Sequence, residues 1–428
     1  MLSRHPPGAA PGAAAAPVRS VDVFCRVVDN LGDAGVCWRL VRQLRMEHGL
    51  EVRLWIDQPD TLLRFVLTGS PDALLLAERV QPWTEDADFS PPFVPADLAL
   101  ETFGCDLPPG YAAALATRIP AARWINLEYL SAEPWIDGCH GLPSPHPRLP
   151  IVRRFFFPGF SAASGGLLRE AGLLEARRHA QAALPDAARL PAAALPATPL
   201  PVAGQAAAAL TDAAFGTATA AVTATAAVMA TTTATATAAV PILEVSLFCY
   251  ADAPVAALLD AFEAGPVAVR CLVFQGPAQD AARAWAARQR AARTELTFLP
   301  WLTQPDFDRV LWRCAFNFAR GEDSFVRAQW AGRPFVWDCY PQADAAHRVK
   351  VNAFLQRYTA TLDAVSAEPL AALWQDWVGR APESLAQAWQ SAVTVLPDLR
   401  LHAERWCEEL AQAPDLVTAL LAFAAREG

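Results

Sequence analysis

Two acidic clusters in the 428-residue sequence have a spacing that suits proton transfer or the holding of a cation. The first, Asp29-Asn30-Leu31-Gly32-Asp33-Ala34-Gly35, follows a valine-rich apolar run and precedes a stretch with helical spacing. In a parallel sheet that position is the carboxyl edge of a strand, where α/β proteins bind ligands. Its glycines let the backbone turn tightly and approach a bound molecule. Two carboxylates there would repel a pyrophosphate, and the G-x-G-x-x-G dinucleotide pattern is missing. The chemistry that fits is cation holding or acid–base catalysis. The structural alternative is that Asp33 caps a helix and Asp29 closes a turn.

The second cluster is Arg320-Gly321-Glu322-Asp323-Ser324-Phe325. Backbone N–H groups around Ser324, at the start of a helix, form an anion site, and the Arg320 fork can pair with a phosphate. Glu322 and Asp323 as plain first-turn residues are the alternative. The continuation Ala328-Gln329-Trp330-Ala331-Gly332-Arg333-Pro334-Phe335-Val336 favours donor binding. A strand, acidic turn, helix, Ala-Gly-x-Pro and strand in succession resembles the layout by which two-domain nucleotide-sugar transferases grip their donor. Leu299-Pro300-Trp301-Leu302-Thr303-Gln304 offers a ring to stack on a nucleobase and an amide to read its edge, although a tryptophan after a buried strand also serves as core. Tyr250, ending Ser246–Tyr250, has the same two readings. No H-x-x-x-H, H-E-x-x-H, G-x-x-x-x-G-K-[ST] or G-x-S-x-G motif occurs, so no metal centre, P-loop or common esterase is expected.

The elements that must position these residues follow from periodicity. Val21–Val28 reads as a buried strand, Val36–His48 as a helix, Glu51–Ile56 as a strand, Pro59–Thr68 as a helix, and Leu98–Phe103 and Trp124–Leu127 as strands. The alternation restarts at Leu243–Tyr250 and runs through helix Pro254–Ala264, strand Val267–Phe274, helix Ala278–Ala292 and strand Glu295–Leu299. Helix Gln304–Arg313, strand Phe316–Ala319, helix Ser324–Ala331 and strand Pro334–Cys339 follow, and then helices to the end. Two doubly wound α/β halves with a ligand crevice between them are expected. The boundaries are a disordered leader over 1–19, a first domain over 20–162, a second over 163–375 and C-terminal helices over 376–428. An Ala/Thr/Pro insertion over 175–241, whose only charged residue from Leu190 onward is Asp212, buries too little surface to order itself.

Composition excludes several classes. A net charge of −9 argues against nucleic-acid binding. Nine scattered cysteines fit buried thiols in a reducing cytoplasm better than disulfides or zinc. The Ala/Thr tract is too weakly apolar for a membrane span.

Taken together these residues resemble the EarP family, bacterial protein-arginine rhamnosyltransferases of elongation factor P. The similar segments are Asp22–Cys25 through Asn30–Leu40, Asn126–Ala132 with Glu133 and Trp135, and Phe155–Phe160 with Gly165-Gly166-Leu167, Arg169 and Glu170. Ser246–Tyr250 and Arg320–Val336 complete the set, so the likeness covers about residues 20 to 340. The resemblance implies a GT-B fold, with two Rossmann-like domains facing each other across a cleft. It also implies an inverting transfer from dTDP-β-L-rhamnose to one arginine of elongation factor P, with no metal or other cofactor. Asp29 and Asp33 would hold the acceptor guanidinium, Asp33 as general base, and Glu322 would be a further essential carboxylate. Asn30, Gly32, Arg320, Asp323 and Ser324 would face the nucleotide sugar, with Tyr250, Trp301 and Gln304 around the thymidine. Trp301 departs from the phenylalanine often found there, and the insertion is the main departure. A non-catalytic nucleotide-sugar-binding or protein-binding member of the fold is the alternative. A nicotinamide dehydrogenase is disfavoured by the missing glycine fingerprint.

Overall fold

Valine, isoleucine, leucine and phenylalanine fill the short strands because both faces of each sheet are covered by helices. The computed structural model describes residues 17–29, 31–66, 70–184, 242–288, 291–342 and 345–426. The leader to residue 16, residues 185–241 of the expected insertion, and Asn30 lie outside the described residues.

The first sheet contains β1 (Ser20–Cys25), β2 (Glu51–Ile56), β3 (Val80–Pro82), β4 (Leu98–Thr102), β5 (Arg123–Leu127), β6 (Pro143–Pro145) and β7 (Val152–Phe156). Their order is β3-β2-β1-β4-β5-β7-β6, parallel except for the β6–β7 pair. The second sheet contains β8 (Ile242–Leu247), β9 (Ala268–Val273), β10 (Thr294–Phe298), β11 (Phe316–Arg320) and β12 (Phe335–Asp338). Its order, β10-β9-β8-β11-β12, is parallel throughout. Each sheet therefore reverses direction beside its own first strand, between β1 and β4 and between β8 and β11. Both reversals create a crevice at the strands' carboxyl ends. This is the expected pair of Rossmann-like domains in the GT-B arrangement.

Several elements differ from expectation. The segment after β1 is not an open turn: a helix runs over Leu31–Met46, so Gly32, Asp33 and Gly35 sit in its first turns. Helix Gly321–Ala331 starts three residues before the expected Ser324, which makes Arg320 its N-cap residue. Pro59–Arg64 is a 3-10 helix. The insertion was expected from Glu175, but Leu173–Ala182 is helical. Its Arg177 is buried against the Trp330 carbonyl, and Gln181 bonds the carbonyls of Trp312 and Ala331. Those tertiary partners outweigh its local composition.

The C-terminal helices are shared between the domains. Trp374 packs on Phe335, and Trp377 and Trp389 pack on Phe318 of the second sheet. The last helix, Leu416–Arg426, returns to the first domain, where Phe423 meets Phe156 and His140.

Candidate active site

The chemistry-bearing residues lie where both sheets reverse. Asp29 and Asp33 follow β1, Tyr250 follows β8, Arg320 ends β11 and Gly321 to Ser324 follow it. A cleft of about 660 Å³, solvent mouth included, is lined by Asp29 and Gly32 from the first domain and by Trp301, Gln304, Arg320, Asp323 and Ser324 from the second.

The acidic side of the cleft is built from both domains. Asp29 Oδ2 accepts the Tyr250 hydroxyl at 2.6 Å. Asp33 Oδ2 accepts the backbone N–H groups of Val28 and Asp29 at 2.9 and 2.8 Å, and Oδ1 accepts the Tyr129 hydroxyl at 3.3 Å. Asp33 therefore does not cap its helix, contrary to the structural alternative: it ties down the turn that precedes the helix, and it is buried behind Asp29 and Gly32, which line the cleft. Glu322 Oε2 accepts the Leu130 N–H at 3.1 Å and lies 3.9 Å from Lys350 Nζ. Gly321, at φ +68°, gives this approach its room: a Cβ there would stand 2.8 Å from Asp29 Oδ2 and 3.1 Å from the Tyr250 hydroxyl. Only glycine adopts that backbone without strain and without displacing Asp29.

Burial dominates the titration of this group. It raises Asp29, against the Tyr250 hydrogen bond, and raises Asp33, against the backbone N–H bonds. Glu322 is pushed up to about 7 by burial, with Lys350 and the Leu130 N–H opposing and Asp33 and Asp29 reinforcing. Three carboxylates converging in a partly dry site fit a cationic ligand, which would restore their charge.

The basic side belongs to Arg320. Its Nη1 reaches the Cys249 carbonyl at 3.4 Å, and its guanidinium lies 4.1 Å from the Phe248 ring centroid and 5.1 Å from that of Tyr250. Among the described residues no carboxylate lies within ion-pair distance of it. The Ser324 hydroxyl is engaged by the Arg320 backbone, accepting its N–H at 2.8 Å and donating to its carbonyl. What this helix start offers an anion is therefore the N–H groups of its first turn together with Arg320.

Asp323 does something the sequence does not reveal. It accepts Arg39 at 2.9 Å and Arg327 at 3.1 Å; Arg39 also pairs with Glu170 at 2.7 Å and Arg327 with Asp308 at 2.8 Å. Arg39 is fully buried. Burial alone would raise Asp323, but Arg327 and Arg39 outweigh it and hold the carboxyl below its ordinary range. This ionic cluster joins helix Leu31–Met46 to helix Gly321–Ala331, and Gly35 permits the approach, its Cβ position being 3.1 Å from Asp323 Oδ2. The Asp323 side chain thus positions its helix, and is not free for a diphosphate.

Trp301 is 45% exposed at the cleft, with Arg64 of the first domain 5.1 Å from its ring centroid. Gln304 lies deeper than an open base-reading position. Its amide donates to the Gly35 carbonyl at 3.2 Å and to Asp323 at 3.3 Å, while its Oε1 is buried without a partner among the described residues. Phe248, Phe274 and Phe307 complete an apolar wall. Sequence reasoning missed Tyr129, although it stands inside the quoted Asn126–Ala132 segment. Arg39, Arg327 and Asp308 gave no local signal.

The chain is similar to known proteins along nearly its whole length. The family model described as elongation factor P (EF-P) rhamnosyltransferase EarP matches residues 21–425. A protein-arginine rhamnosyltransferase of Pseudomonas putida is 38% identical over 417 residues, covering 94% of this chain and 97% of that one. A protein of the same name from Shewanella oneidensis is 32% identical over 423 residues, covering 94% and 96%. A solved structure, described as the structural basis for EarP-mediated arginine glycosylation of translation elongation factor EF-P, matches with a TM-score of 0.57 at 28% identity. It covers 94% of this chain and 98% of that chain.

Proposed function

This chain belongs to the EarP family of elongation factor P rhamnosyltransferases, and we propose that it carries L-rhamnose from dTDP-β-L-rhamnose, with inversion, to an arginine of elongation factor P. That it is a protein-arginine rhamnosyltransferase follows from the family. The donor, the acceptor protein and the stereochemistry are our reading. One observation supports it above the others: Asp29 lines the cleft with Asp33 and Glu322 close behind it, and Arg320, with no carboxylate within ion-pair distance among the described residues, lines it as well.

Arginine is a poor nucleophile, because its guanidinium is delocalised and its pKa lies above about 12. A carboxylate cannot deprotonate it beforehand. Asp29 and Glu322 hold the cation and localise its charge away from the attacking nitrogen, and Asp33 accepts that nitrogen's proton as the C–N bond forms. The sugar C1–O bond to dTDP breaks on the opposite face, and the departing diphosphate charge falls on Arg320 and the first-turn N–H groups. A single in-line displacement inverts the anomeric centre. Trp301 presents its ring to the thymine, while the Gln304 amide, held by Gly35 and Asp323, supports the wall behind it.

The test is to incubate the protein with dTDP-β-L-rhamnose and elongation factor P. We expect a mass increase of one deoxyhexose on an acceptor arginine, with an α-linkage by NMR. A folded protein that binds dTDP but transfers nothing would support the non-catalytic alternative instead.

A further inference from the structure

Lys350 is the only lysine among the 35 basic residues of this chain. It stands on helix Ala346–Thr359, and Glu322, Tyr129 and Trp337 surround its ammonium. Nζ lies 3.9 Å from Glu322 Oε2 and 5.4 and 5.8 Å from the ring centroids of Tyr129 and Trp337. The Lys350 side chain is 21% exposed and that of Glu322 13%. We propose that Lys350 is a positioning residue of the reaction, its ammonium fixing Glu322 as a carboxylate where the acceptor guanidinium must dock. The proposal rests on the role given to Glu322 above.

The choice of cation is the first argument. The chain uses arginine elsewhere, yet a resident guanidinium beside Glu322 would offer the same planar fork as the substrate and compete for the carboxylate. An ammonium is a compact point charge that leaves the fork geometry to the ligand. The second argument is the division of oxygens. Oε2 takes the Leu130 N–H and faces Lys350, while no hydrogen bond to Oε1 is present among the described residues. That oxygen is the one left for the acceptor.

The third argument is charge balance. Asp33 and Asp29 face Glu322 from the first domain, Cys339 from the segment after β12, and Tyr129 from the loop after β5; Lys350 is the one cation in this set. Burial and the two aspartates favour the protonated acid, and a neutral Glu322 would lose most of its grip on a guanidinium. Lys350 opposes that protonation.

The experiment is the pH profile of kcat/KM for the acceptor in wild type, Lys350→Met, Lys350→Arg and Glu322→Gln. Lys350→Met should move the acid limb upward by about one pH unit or more, with activity recovering at alkaline pH. Lys350→Arg should keep the limb in place, even at a lower maximum. A Lys350→Met limb that does not move, whatever the loss of rate, overturns the proposal. Should that variant fail to fold, modification of the folded wild type decides. Dimethylation of the single lysine keeps its charge and should keep the limb; acetylation should shift it, and an unshifted limb overturns the proposal. The terminal amine reacts in both arms. Glu322→Gln separates the two ideas. If it transfers normally with the wild-type limb, the role of Glu322 and this proposal both fall. If it is inactive while the Lys350→Met limb is fixed, only Lys350 is misassigned.

Discussion

Tyr250 of the second domain donates its hydroxyl to Asp29 of the first at 2.6 Å, over a glycine that leaves no room for a side chain. The bond joins the two places where the sheets reverse, so the tyrosine orders an acceptor-side carboxylate even though it lies beside the Arg320 guanidinium. Tyr250→Phe should lower turnover by roughly 10- to 150-fold, the worth of a hydrogen bond to a charged group. Affinity for dTDP should change by no more than a few-fold. Steady-state kinetics with dTDP calorimetry decide: loss confined to dTDP affinity would return Tyr250 to the thymidine alone.

Asp33→Ala should abolish transfer while donor binding persists, because Asp33 lies in the first domain with Tyr129 and the Val28 and Asp29 N–H groups as its partners. Calorimetry for the donor and a mass shift for the product give the two readouts. A folded variant that has lost both would contradict the assignment.

Arg320→Ala should weaken dTDP binding about 30- to several-thousand-fold, the range for truncating one partner of a desolvated charge pair. Arg320→Lys should restore only part, since an ammonium lacks the bidentate fork. Unchanged dTDP affinity in a folded Arg320→Ala protein would move the diphosphate site elsewhere.

Arg39→Met removes the buried cation that Glu170 and Asp323 share and leaves Arg327 alone to serve both, which should cost about 3 kcal/mol near neutral pH, the lower end for breaking a buried pair. Both carboxyls are held below their ordinary range in the folded protein by the neighbouring arginines, which overcome burial. Their contribution is therefore present above the ordinary carboxylate pKa and lost as pH falls through the folded values. In the variant both acids protonate more readily, so its deficit should shrink between about pH 7 and about pH 4. Urea unfolding at the two values measures this, and an equal deficit at both would show that packing, not charge, is lost.

Glu322→Gln should stabilise the protein in alkali. The folded pKa of about 7 lies above the ordinary 4.5, with burial as the main cause. Folding thus favours the protonated acid, and ionisation costs stability progressively as pH rises between those two values. The amide cannot ionise, so the variant should gain on the order of 2–3 kcal/mol at about pH 8.5 and little at about pH 5. Denaturant midpoints that differ equally at both pH values would refute this, and the expected loss of transfer would show that the strain serves the site.

The sequence by itself determined the two α/β halves, because apolar runs of strand length alternating with helical spacing leave few other architectures. It also determined that acidic residues follow β1 and β11, since both clusters lie at strand ends whose position can be counted from local pattern. Each following helix begins earlier than local spacing predicts, because Leu31 and Gly321 are not strong helix signals. Only the tertiary structure decided what Asp323 does. Its partner Arg39 lies 284 residues away in the chain, and no local periodicity encodes a pairing over that distance. The same holds for helix Leu173–Ala182, which alanine-rich composition marked as the edge of an insertion and which Trp330, Trp312 and Ala331 hold in place. Residue type and spacing fix which groups stand at a strand's end. Which carboxylate meets the ligand and which is consumed by a buried arginine depends on how the second domain docks against the first, and that docking is a sum of contacts between segments far apart in the chain.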